Sequence, residues 1–400
     1  MLMYKIALIN KFYYPRGGDC TYTIQLERLL KEKGHEVAIF AMDHPDTLPT
    51  AYRKYFPSEI NFSPQNPGKI LETVLRPFGT KEVKKKFNRL LNDFQPDIVH
   101  LGNIHSQLSP LVAKAAHKRG IKVIWTLHDY KLLCPRYDCL RNGKMICEEC
   151  FHNTFSVLRY SCMKNSKFAS VLAYLEALKW NKSKLERYTD MFICPSEFMK
   201  SVMVRGGYRT EKLNTIHHFI HPEQLAANDY SQPSDYYCYL GRISHEKGVE
   251  TLLKAASQLP YKLKIIGSGP SLSRLITKYQ SDHIEFLGYK NWEEIKSILK
   301  NACFLVSPSE WYEVLGLNNI EALCLGVPVL ASNIGGIPEL IRETENGMLF
   351  EPTNVDDLKQ KIIDCWNHFQ SIDNKKIAIA AQEKFTAEKY YEQLMKLYAG

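Results

Sequence analysis

Several features that define other protein classes are missing from the 400-residue sequence. No stretch approaches eighteen uninterrupted apolar residues, so nothing predicts a membrane-spanning helix. No repeat of fixed period occurs, and Gly and Pro are scattered, which excludes fibrous and disordered classes. Lys5 and Lys11 interrupt the apolar stretch near the start, which predicts a first strand and no export signal. We therefore expect a soluble, cytoplasmic protein.

The composition that remains is that of a folded protein with a sizeable interior. Hydrophobic residues make up 45% of the chain and charged residues 24%. A chain of this length suits two domains of roughly 150–200 residues, each with its own core. In a reducing compartment the 11 cysteines are expected to be mostly free thiols.

Charge is divided unevenly between the two halves. Residues 1–200 hold 31 Lys and Arg against 19 Asp and Glu, a net charge of +12. Residues 201–400 hold 21 against 24, a net charge of −3. A basic half attracts anionic surfaces, such as lipid headgroups, nucleic acid or phosphorylated substrates, or it is simply a solvated basic face. Charge alone does not choose among these.

Apolar runs alternate with helical patterns along both halves, which predicts α/β domains with parallel sheets covered on both faces. In the first half the predicted strands are Lys5–Asn10, Val37–Phe40, Asp97–Leu101 and Val123–Leu127, and the predicted helices are Thr21–Lys33 and Ser109–Arg119. In the second half the predicted strands are Tyr236–Leu240, Leu263–Ile266, Ile284–Phe286, Cys303–Val306 and Val327–Ala331. The predicted helices of the second half are Val249–Gln258, Ser271–Tyr279, Trp292–Leu299 and Leu317–Cys324.

The alternation predicts two doubly wound, Rossmann-like domains. We place the first at residues 1–195 and the second at 235–380. Residues 196–234 are predicted to form a linker, in which a strand-like segment Asn214–His218 precedes the polar segment Ser231–Ser234. An amphipathic last helix, about Lys375–Tyr398, is expected to bring residues 381–400 back onto the first domain. Ligands in such sheets bind at the carboxyl ends of strands, so chemistry is expected on the loops that follow them.

Two cations follow one predicted strand of the second half. The segment Gly241–Gly248 comes after Leu240 and contains Arg242 and Lys247. Placed around a diphosphate, the two side chains would neutralise charge on a departing nucleoside diphosphate. A surface loop with an ion pair is the alternative interpretation.

Two carboxylates stand eight residues apart further along the chain, at Glu313 and Glu321. Gly316 between them suggests that Glu313 lies on a loop and Glu321 on a helix. The backbone N–H groups of Gly316 and Leu317, at the helix start, would donate to phosphate oxygens, and the carboxylates would accept from sugar hydroxyls. Each glutamate taken singly is more commonly an exposed helix-start acid.

Six short motifs occur in order along nearly the whole chain, and together they resemble the retaining GT-B glycosyltransferases of family 4. The motifs are a Gly-Gly loop after the first strand, G-R-x-x-x-E-K-G, G-x-G, E-x₇-E, G-x-P-V and G-G-x-P-E. In this sequence they are Gly17-Gly18, Gly241–Gly248, Gly267-Ser268-Gly269, Glu313 and Glu321, Gly326-Val327-Pro328-Val329, and Gly335-Gly336-Ile337-Pro338-Glu339. One departure is Leu315, which stands where the family commonly has an aromatic residue.

The resemblance implies a GT-B fold, in which two Rossmann-like domains face each other across a cleft. The second domain would hold a nucleotide-diphosphate sugar, and the first would bind a saccharide or lipid-linked saccharide acceptor of surface polysaccharide or glycolipid assembly. The implied catalytic residues are His128, Glu313, Arg242 and Lys247. The implied donor-binding residues are Gly17, Gly18, Arg242, Lys247, Gly316, Leu317 and Glu321, with Glu321 on the ribose and Glu313 on the transferred sugar.

Retention of the sugar configuration has a chemical consequence. None of the matched motifs supplies an obvious carboxylate nucleophile for a two-step route. We therefore expect front-face substitution, in which the diphosphate leaves as the acceptor hydroxyl arrives on the same side. Arg242 and Lys247 would stabilise the leaving group, and no metal would be required for the chemistry.

Five cysteines cluster between residues 134 and 162, namely Cys134, Cys139, Cys147, Cys150 and Cys162. In a reducing compartment such density suggests either a structural zinc ion, with Cys134, Cys139, Cys147 and Cys150 as ligands, or uncoordinated thiols. The spacing fits no standard zinc module.

Two segments mix Lys and Arg with apolar side chains, at residues 155–187 and Lys81–Leu91. They suit an anionic membrane surface, which would place the protein on the inner face of the membrane. Nucleic acid is not an expected partner.

Two rival functions remain open on the sequence. One is a sugar-nucleotide epimerase of the same architecture, and the other is a non-catalytic two-lobed protein that binds sugar nucleotides. A dehydrogenase is disfavoured because no G-x-G-x-x-G follows the first strand. The sequence leaves open the nucleotide base (UDP, GDP or ADP), the sugar, the acceptor, the linkage and the oligomeric state.

Overall fold

The computed structural model describes residues 3–60, 70–221, 225, 235–342, 344–369 and 371–400. Contacts divide the chain into two units. The first comprises Met1–Asn142, Cys147–Ile216 and Tyr390–Gly400, and the second comprises Gly143–Ile146 and His217–Lys389. The polar segment Ser231–Ser234 of the predicted linker lies outside the described residues.

The first unit is built on a six-stranded parallel sheet with strand order β2-β1-β3-β4-β7-β8. Ile6 to Ile9 of β1 are all buried, because helices cover both faces of the sheet. The strands of the first unit are β1 Lys5–Ile9, β2 Glu36–Phe40, β3 Ile98–Leu101, β4 Lys122–Thr126, β7 Met191–Cys194 and β8 Leu213–Thr215, and two short strands are β5 Leu140–Arg141 and β6 Met145–Ile146.

Helices connect the strands of the first sheet. Several begin at side-chain caps, as where Ser166 accepts a hydrogen bond from the Ala169 N–H and Ser196 accepts one from the Met199 N–H. The helices are α1 Gly18–Glu32, α2 Ile70–Leu75, α3 Lys81–Phe94, α4 Leu111–His117, α5 Glu149–His152, α6 Ser156–Arg159, α7 Lys167–Lys179, α8 Lys182–Tyr188 and α9 Glu197–Arg205.

The second unit contains another six-stranded parallel sheet, with strand order β11-β10-β9-β12-β13-β14. Alternate residues of β9 serve different halves of the core, since Tyr237 and Tyr239 pack in one cluster and Tyr236 and Cys238 in the other. The strands are β9 Tyr236–Leu240, β10 Lys262–Ile266, β11 Ile284–Gly288, β12 Leu305–Ser307, β13 Val329–Ser332 and β14 Gly347–Phe350. The helices that follow are α10 Val249–Ala256, α11 Leu272–Tyr279, α12 Trp292–Lys300, α13 Leu317–Cys324, α14 Val355–Phe369, α15 Asn374–Lys384 and α16 Ala387–Ala399.

The fold class is therefore the predicted one, an α/β protein with two Rossmann-like parallel sheets. The predicted strands and helices are present, with ends that shift by a few residues. The segment after residue 195 differs from the prediction. It begins with α9 and β8 of the first unit, because β8 pairs with β7 through Phe192 and Leu213 and adds a sixth strand to the sheet.

The predicted last helix is two helices, α15 and α16. The chain leaves the helical path at Phe385, whose carbonyl accepts a hydrogen bond from the Ile220 N–H at 3.1 Å. Thr386 then accepts one from the Lys389 N–H at 3.1 Å and starts the next helix. Residues 390–400 belong to the first unit, where the Tyr391 hydroxyl lies 2.8 Å from His35 Nε2 and the Tyr398 hydroxyl 2.6 Å from His100 Nδ1.

Candidate active site

The predicted cationic and acidic motifs of the second unit follow neighbouring strands. β9 lies between β10 and β12, so the sheet order reverses between β9 and β12. The loop after β9 carries Arg242 and Lys247, and the loop after β12 carries Glu313. In open parallel sheets the carboxyl ends of strands at such a reversal form the usual ligand-binding crevice. The topology therefore brings the two motifs to one place.

Each cation in the first loop is held by a carboxylate. Arg242 forms an ion pair with Glu246, and its Nε lies 3.2 Å from Ser244 Oγ. The loop itself is held by the Tyr239 hydroxyl, which donates to the Arg242 carbonyl at 2.8 Å. Lys247 forms an ion pair with Glu313, although the two residues are 66 positions apart in sequence. Both ammonium and guanidinium groups are thus oriented before any ligand binds.

Glu313 is a buried carboxylate, 8% exposed, that collects its donors on one oxygen. Its Oε1 accepts hydrogen bonds from Ser309 Oγ at 2.8 Å and Trp311 Nε1 at 2.9 Å, in addition to the Lys247 contact. Burial acts to raise the pKa of Glu313, but Lys247 and the two neutral donors outweigh it and hold the pKa below its usual range. Glu313 is therefore ionised, and no hydrogen bond to its Oε2 is present among the described residues.

Two glycines allow these loops to approach closely. A Cβ at Gly248 would lie 1.8 Å from the Pro308 carbonyl oxygen, and one at Gly335 would lie 2.4 Å from the Glu313 carbonyl oxygen. Both residues also have positive φ angles, 64° and 65°. Next to Gly335, the Gly336 N–H donates to the same Glu313 carbonyl at 2.8 Å. The G-G-x-P-E motif thus supports the backbone of the Glu313 loop.

The helix α13 starts at the same loop. Gly316 precedes it with φ 84°, a conformation that favours glycine. Asn318 Nδ2 donates to the Leu240 carbonyl at 2.9 Å, so the helix start lies against the end of β9. The side chain of Asn319 is fully buried, and neither of its polar atoms has a hydrogen-bond partner among the described residues. The Asn319 N–H donates to the Gly316 carbonyl at 3.1 Å, whereas the N–H groups of the first two helical residues have no acceptor within the helix, which favours an anion there.

Glu321 lies one turn into α13, and its carboxylate differs sharply from that of Glu313. Among the residues that the structure describes, none forms a hydrogen bond or an ion pair with it. Desolvation alone raises the pKa of Glu321 to about 8. Glu321 is only partly exposed, and a desolvated carboxyl group without partners is costly unless a ligand supplies donors. The site therefore combines two oriented cations, a helix start and one carboxylate that lacks donors.

In the first unit, His128 follows β4 and packs against Tyr22 of α1, with ring centroids 4.9 Å apart. Burial, followed by the charges of His100 and Lys11, lowers the pKa of His128 to about 3. The imidazole is therefore neutral at physiological pH. The hydroxyl of Tyr22 lies 3.1 Å from Thr126 Oγ1 and also contacts the Tyr390 hydroxyl, which fixes the ring that His128 packs against.

Gly17 and Gly18 are exposed at the start of α1. A Cβ at Gly17 would meet only Asp19 Oδ1, at an ordinary distance of 3.6 Å, and its φ of −172° is extended backbone. The fold of this unit therefore does not require glycine at position 17.

The cysteine cluster surrounds a hollow of about 10 Å³, which is lined by Cys134, Cys147, Cys150 and Cys162. Among the described residues, no group of three or more His, Cys, Asp or Glu side chains is arranged to hold a metal ion. Instead, a hydrogen bond from Cys139 lowers the pKa of the Cys134 thiol, and Arg141 Nη2 lies 3.9 Å from Cys147 Sγ. Of the two interpretations of this cluster, a zinc site at Cys134, Cys139, Cys147 and Cys150 is therefore not supported by the arrangement of the described residues.

Comparison with known families matches both halves of the chain. The profile of glycosyltransferase family 4 matches residues 16–224, and the profile of glycosyl transferases group 1 matches residues 222–384. The first match alone covers more than half of the chain. The chain belongs to glycosyltransferase family 4. It is therefore an enzyme, a glycosyltransferase.

Individual proteins resemble this glycosyltransferase over most of its length. An uncharacterised 42.6 kDa protein of the cps region of Klebsiella pneumoniae is 28% identical over 394 residues, covering 89% of this chain and 95% of the relative. The O-antigen biosynthesis glycosyltransferase WbnH of Escherichia coli is 28% identical over 249 residues, covering 60% and 68%.

Solved structures share the fold of this glycosyltransferase. Sucrose-phosphate synthase of Thermosynechococcus elongatus has a TM-score of 0.70 at 20% identity, covering 99% of this chain and 98% of the relative. The Anabaena protein HepE in complex with UDP-glucose has a TM-score of 0.68 at 17% identity, covering 99% of each chain. The fold of the glycosyltransferase is thus of the GT-B type.

The structure also shows residues of the glycosyltransferase that the sequence analysis did not single out. Trp311 donates to Glu313, and its ring lies 5.2 Å from Lys247 Nζ, a cation–π contact that further fixes the ammonium group. Ser309 and Asn319 are the other two such residues. Ser309 and Trp311 stand four and two residues before Glu313, so a hydroxyl or an indole this close in sequence is a usable signal for a donor to that glutamate. Nothing in the sequence marks Asn319 as buried without a partner.

Proposed function

We propose that this glycosyltransferase takes a sugar from a nucleotide-diphosphate sugar and transfers it to a saccharide or lipid-linked saccharide, with retention of configuration. The observation that carries the donor assignment is the carboxylate of Glu321. It lies one turn into the helix that follows the Glu313 loop, and it has no donor of its own among the described residues. Ribose hydroxyls would supply the donors that this carboxylate lacks.

Other residues of the second unit are proposed to bind the diphosphate and the transferred sugar of the donor. Arg242 and Lys247 would neutralise the diphosphate as it leaves, and the N–H groups of Gly316 and Leu317 would bind its oxygens. Glu313 Oε2 would accept from a hydroxyl of the transferred sugar, because Oε1 is already occupied by three donors. The Trp311 ring would keep Lys247 in place while its contact with Glu313 is shared with the ligand.

The first unit is proposed to contribute His128 and the Gly17-Gly18 loop. Since His128 is neutral, it would act on the sugar as a hydrogen-bonding group and not as a cation. Gly17 and Gly18 are exposed, and the fold does not require glycine at position 17, so a close approach to a phosphate is the reason we assign to them.

Retention is proposed to proceed by front-face substitution. The bond between the anomeric carbon and the diphosphate oxygen breaks as the bond to the acceptor oxygen forms on the same face. The acceptor proton passes to a phosphate oxygen of the leaving nucleoside diphosphate. Glu313 is engaged by Lys247, Ser309 and Trp311 through its Oε1, which suits a carboxylate that holds a sugar hydroxyl better than a free nucleophile.

The names of related proteins support the general setting. HepE has been crystallised with UDP and with UDP-glucose, and a starch synthase of Arabidopsis thaliana with ADP. WbnH acts in O-antigen biosynthesis, and the Klebsiella relative lies in a cps region. We therefore propose a role in the assembly of a surface polysaccharide or glycolipid in the cytoplasm, with UDP-sugars as the first donors to test.

A thermal-shift panel of UDP, GDP and ADP sugars tests the donor site. The nucleotide sugars of one base should raise the melting temperature of the parent. The variants Glu321→Gln and Lys247→Ala should each lose most of that increase in melting temperature. Glu285→Gln and Lys254→Ala change exposed residues of the same unit and serve as matched controls. Parent-like shifts in both site variants would show that the nucleotide does not bind here.

The stabilising nucleotide sugar then serves as the donor in an assay followed by NMR. With a saccharide acceptor, the new glycosidic bond should have the anomeric configuration of the donor. Interconversion of the donor sugar in the absence of any acceptor would indicate an epimerase and would contradict the proposed transfer.

A further inference from the structure

A row of apolar side chains lies exposed along α7. Phe168, Val171, Leu175 and Leu178 are 65%, 41%, 44% and 47% exposed. Their spacing of three, four and three residues places them on one face of the helix. We call these four residues the α7 stripe. Contiguous exposed apolar side chains of this kind mark a surface that binds something else.

The opposite face of α7 is fixed to the first unit, so the stripe cannot turn inward. Ser170, Ala173 and Glu176 are buried, and the Glu176 carboxylate forms an ion pair with Lys131 at 3.0 Å. At the end of the helix, Trp180 Nε1 donates to the Pro77 carbonyl at 3.0 Å. The helix is thus anchored through polar contacts while its most apolar face remains outside.

The charges around the stripe have one sign. Residues 153–184 contain six Lys and Arg and a single acid, the buried and paired Glu176. Lys167 and Lys179 are exposed at the two ends of the helix. Burial, and then the charges of Lys114 and Lys184, lower the pKa of Lys179, so several ammonium groups are concentrated at this end. An anionic partner relieves this repulsion, whereas a second copy of the same face would increase it.

The other basic segment of the first unit lacks such a stripe. α3 has lysines at positions 84, 85 and 86, but its apolar residues Val83, Phe87, Leu90 and Leu91 are all buried in the core. Its lysines therefore form a solvated cationic face with nothing to insert into a partner. Unlike α3, α7 joins positive charge to exposed apolar side chains, the combination that binds a lipid surface.

We propose that the α7 stripe and its flanking lysines dock the first unit on an anionic lipid bilayer. The four apolar side chains enter the boundary between headgroups and acyl chains, and the ammonium groups bind lipid phosphates. This goes beyond the proposed sugar transfer and would bring the enzyme to a surface where a lipid-linked acceptor lies.

Vesicle flotation of the full chain tests the docking. The parent should float with vesicles of phosphatidylcholine and phosphatidylglycerol and much less with phosphatidylcholine alone. The double variant Phe168→Ser/Leu175→Ser should lose at least roughly tenfold in affinity for the anionic vesicles, because the apolar contribution is lost. Lys167→Gln/Lys179→Gln should weaken binding and reduce its dependence on salt.

A matched control changes Ile379 to Ser and Lys375 to Gln, since both residues are exposed on α15 of the second unit. This control should float like the parent. All variants should keep the parent melting temperature and the parent thermal shift with the nucleotide sugar, which separates docking from donor binding. Equal flotation of all variants, or no binding of the parent to anionic vesicles, would overturn the proposal. A parent dimer in sedimentation velocity that the stripe variant abolishes, without vesicle binding, would assign the stripe to self-association instead.

Discussion

Two glutamates that look alike in the sequence occupy opposite environments. Glu313 is buried with a lysine and two neutral donors, which hold its pKa below the usual range. Glu321 is desolvated without a donor among the described residues, and its pKa rises to about 8. The first carboxylate is ionised and oriented by the protein itself. The second requires a ligand to make ionisation favourable.

This difference predicts how the stability of the nucleotide-free protein depends on pH. The folded state holds a proton on Glu321 up to about pH 8, whereas the unfolded chain releases it near the ordinary value of 4.5. The unfolded state therefore binds fewer protons between these values, and the contribution of Glu321 to stability falls as pH rises through this window. The variant Glu321→Gln removes that dependence.

Urea unfolding of parent and Glu321→Gln at about pH 5 and about pH 9 measures the effect. The parent should lose more stability than the variant as pH rises. Glu285→Gln, which changes an exposed carboxylate of β11, should follow the parent. Parallel pH curves for parent and Glu321→Gln would mean that Glu321 has an ordinary pKa and a partner.

At the scale of elements, glycines decide whether the loops after β9 and β12 can meet. The Lys247 loop and the Ser309–Glu313 loop touch because Gly248 leaves room for the Pro308 carbonyl. The Glu313 loop in turn lies against Gly335. The cation–carboxylate contact at the site therefore depends on residues that bear no side chain.

Replacing Gly335 by Ala tests this close approach. The new Cβ would lie 2.4 Å from the Glu313 carbonyl oxygen at a φ of 65°, so the loop must shift. We expect a loss of stability of roughly 1–3 kcal/mol and weaker binding of the nucleotide sugar. Gly288→Ala is the matched control, because its φ is 70° but nothing lies within 4 Å of the new Cβ. Equal effects of both substitutions on donor binding would contradict the role given to Gly335.

Most elements could be predicted from the sequence because parallel strands buried on both faces appear as apolar runs, as in Ile6 to Ile9. The site could be placed on loops because its charged residues follow such runs. The break at Phe385 could not be predicted, since it depends on a hydrogen bond from Ile220, which is far away in sequence. The pairing of Lys247 with Glu313 and the isolation of Glu321 are likewise long-range facts that local pattern does not encode.

At the scale of the whole molecule, each unit has its own parallel sheet, and the two units have different proposed roles. The second unit carries the oriented cations, the helix start of α13 and Glu321. The first unit carries neutral His128, exposed Gly17 and Gly18, and the α7 stripe. No helix in the described part of the chain is long and apolar enough to cross a membrane. The residues that each unit carries assign donor binding to the second unit and surface docking to the first.

Hydrogen exchange of the whole chain, with and without the nucleoside diphosphate that stabilises it best, tests the central claim most directly. Binding should slow amide exchange in peptides that contain Gly241–Gly248, Glu313–Glu321 and Gly335–Glu339, because these segments surround the proposed diphosphate and ribose. Peptides of α3 and α7 should exchange as in the free protein. Unchanged exchange in all three segments at saturating nucleotide, with slowing elsewhere in the chain, would contradict the account.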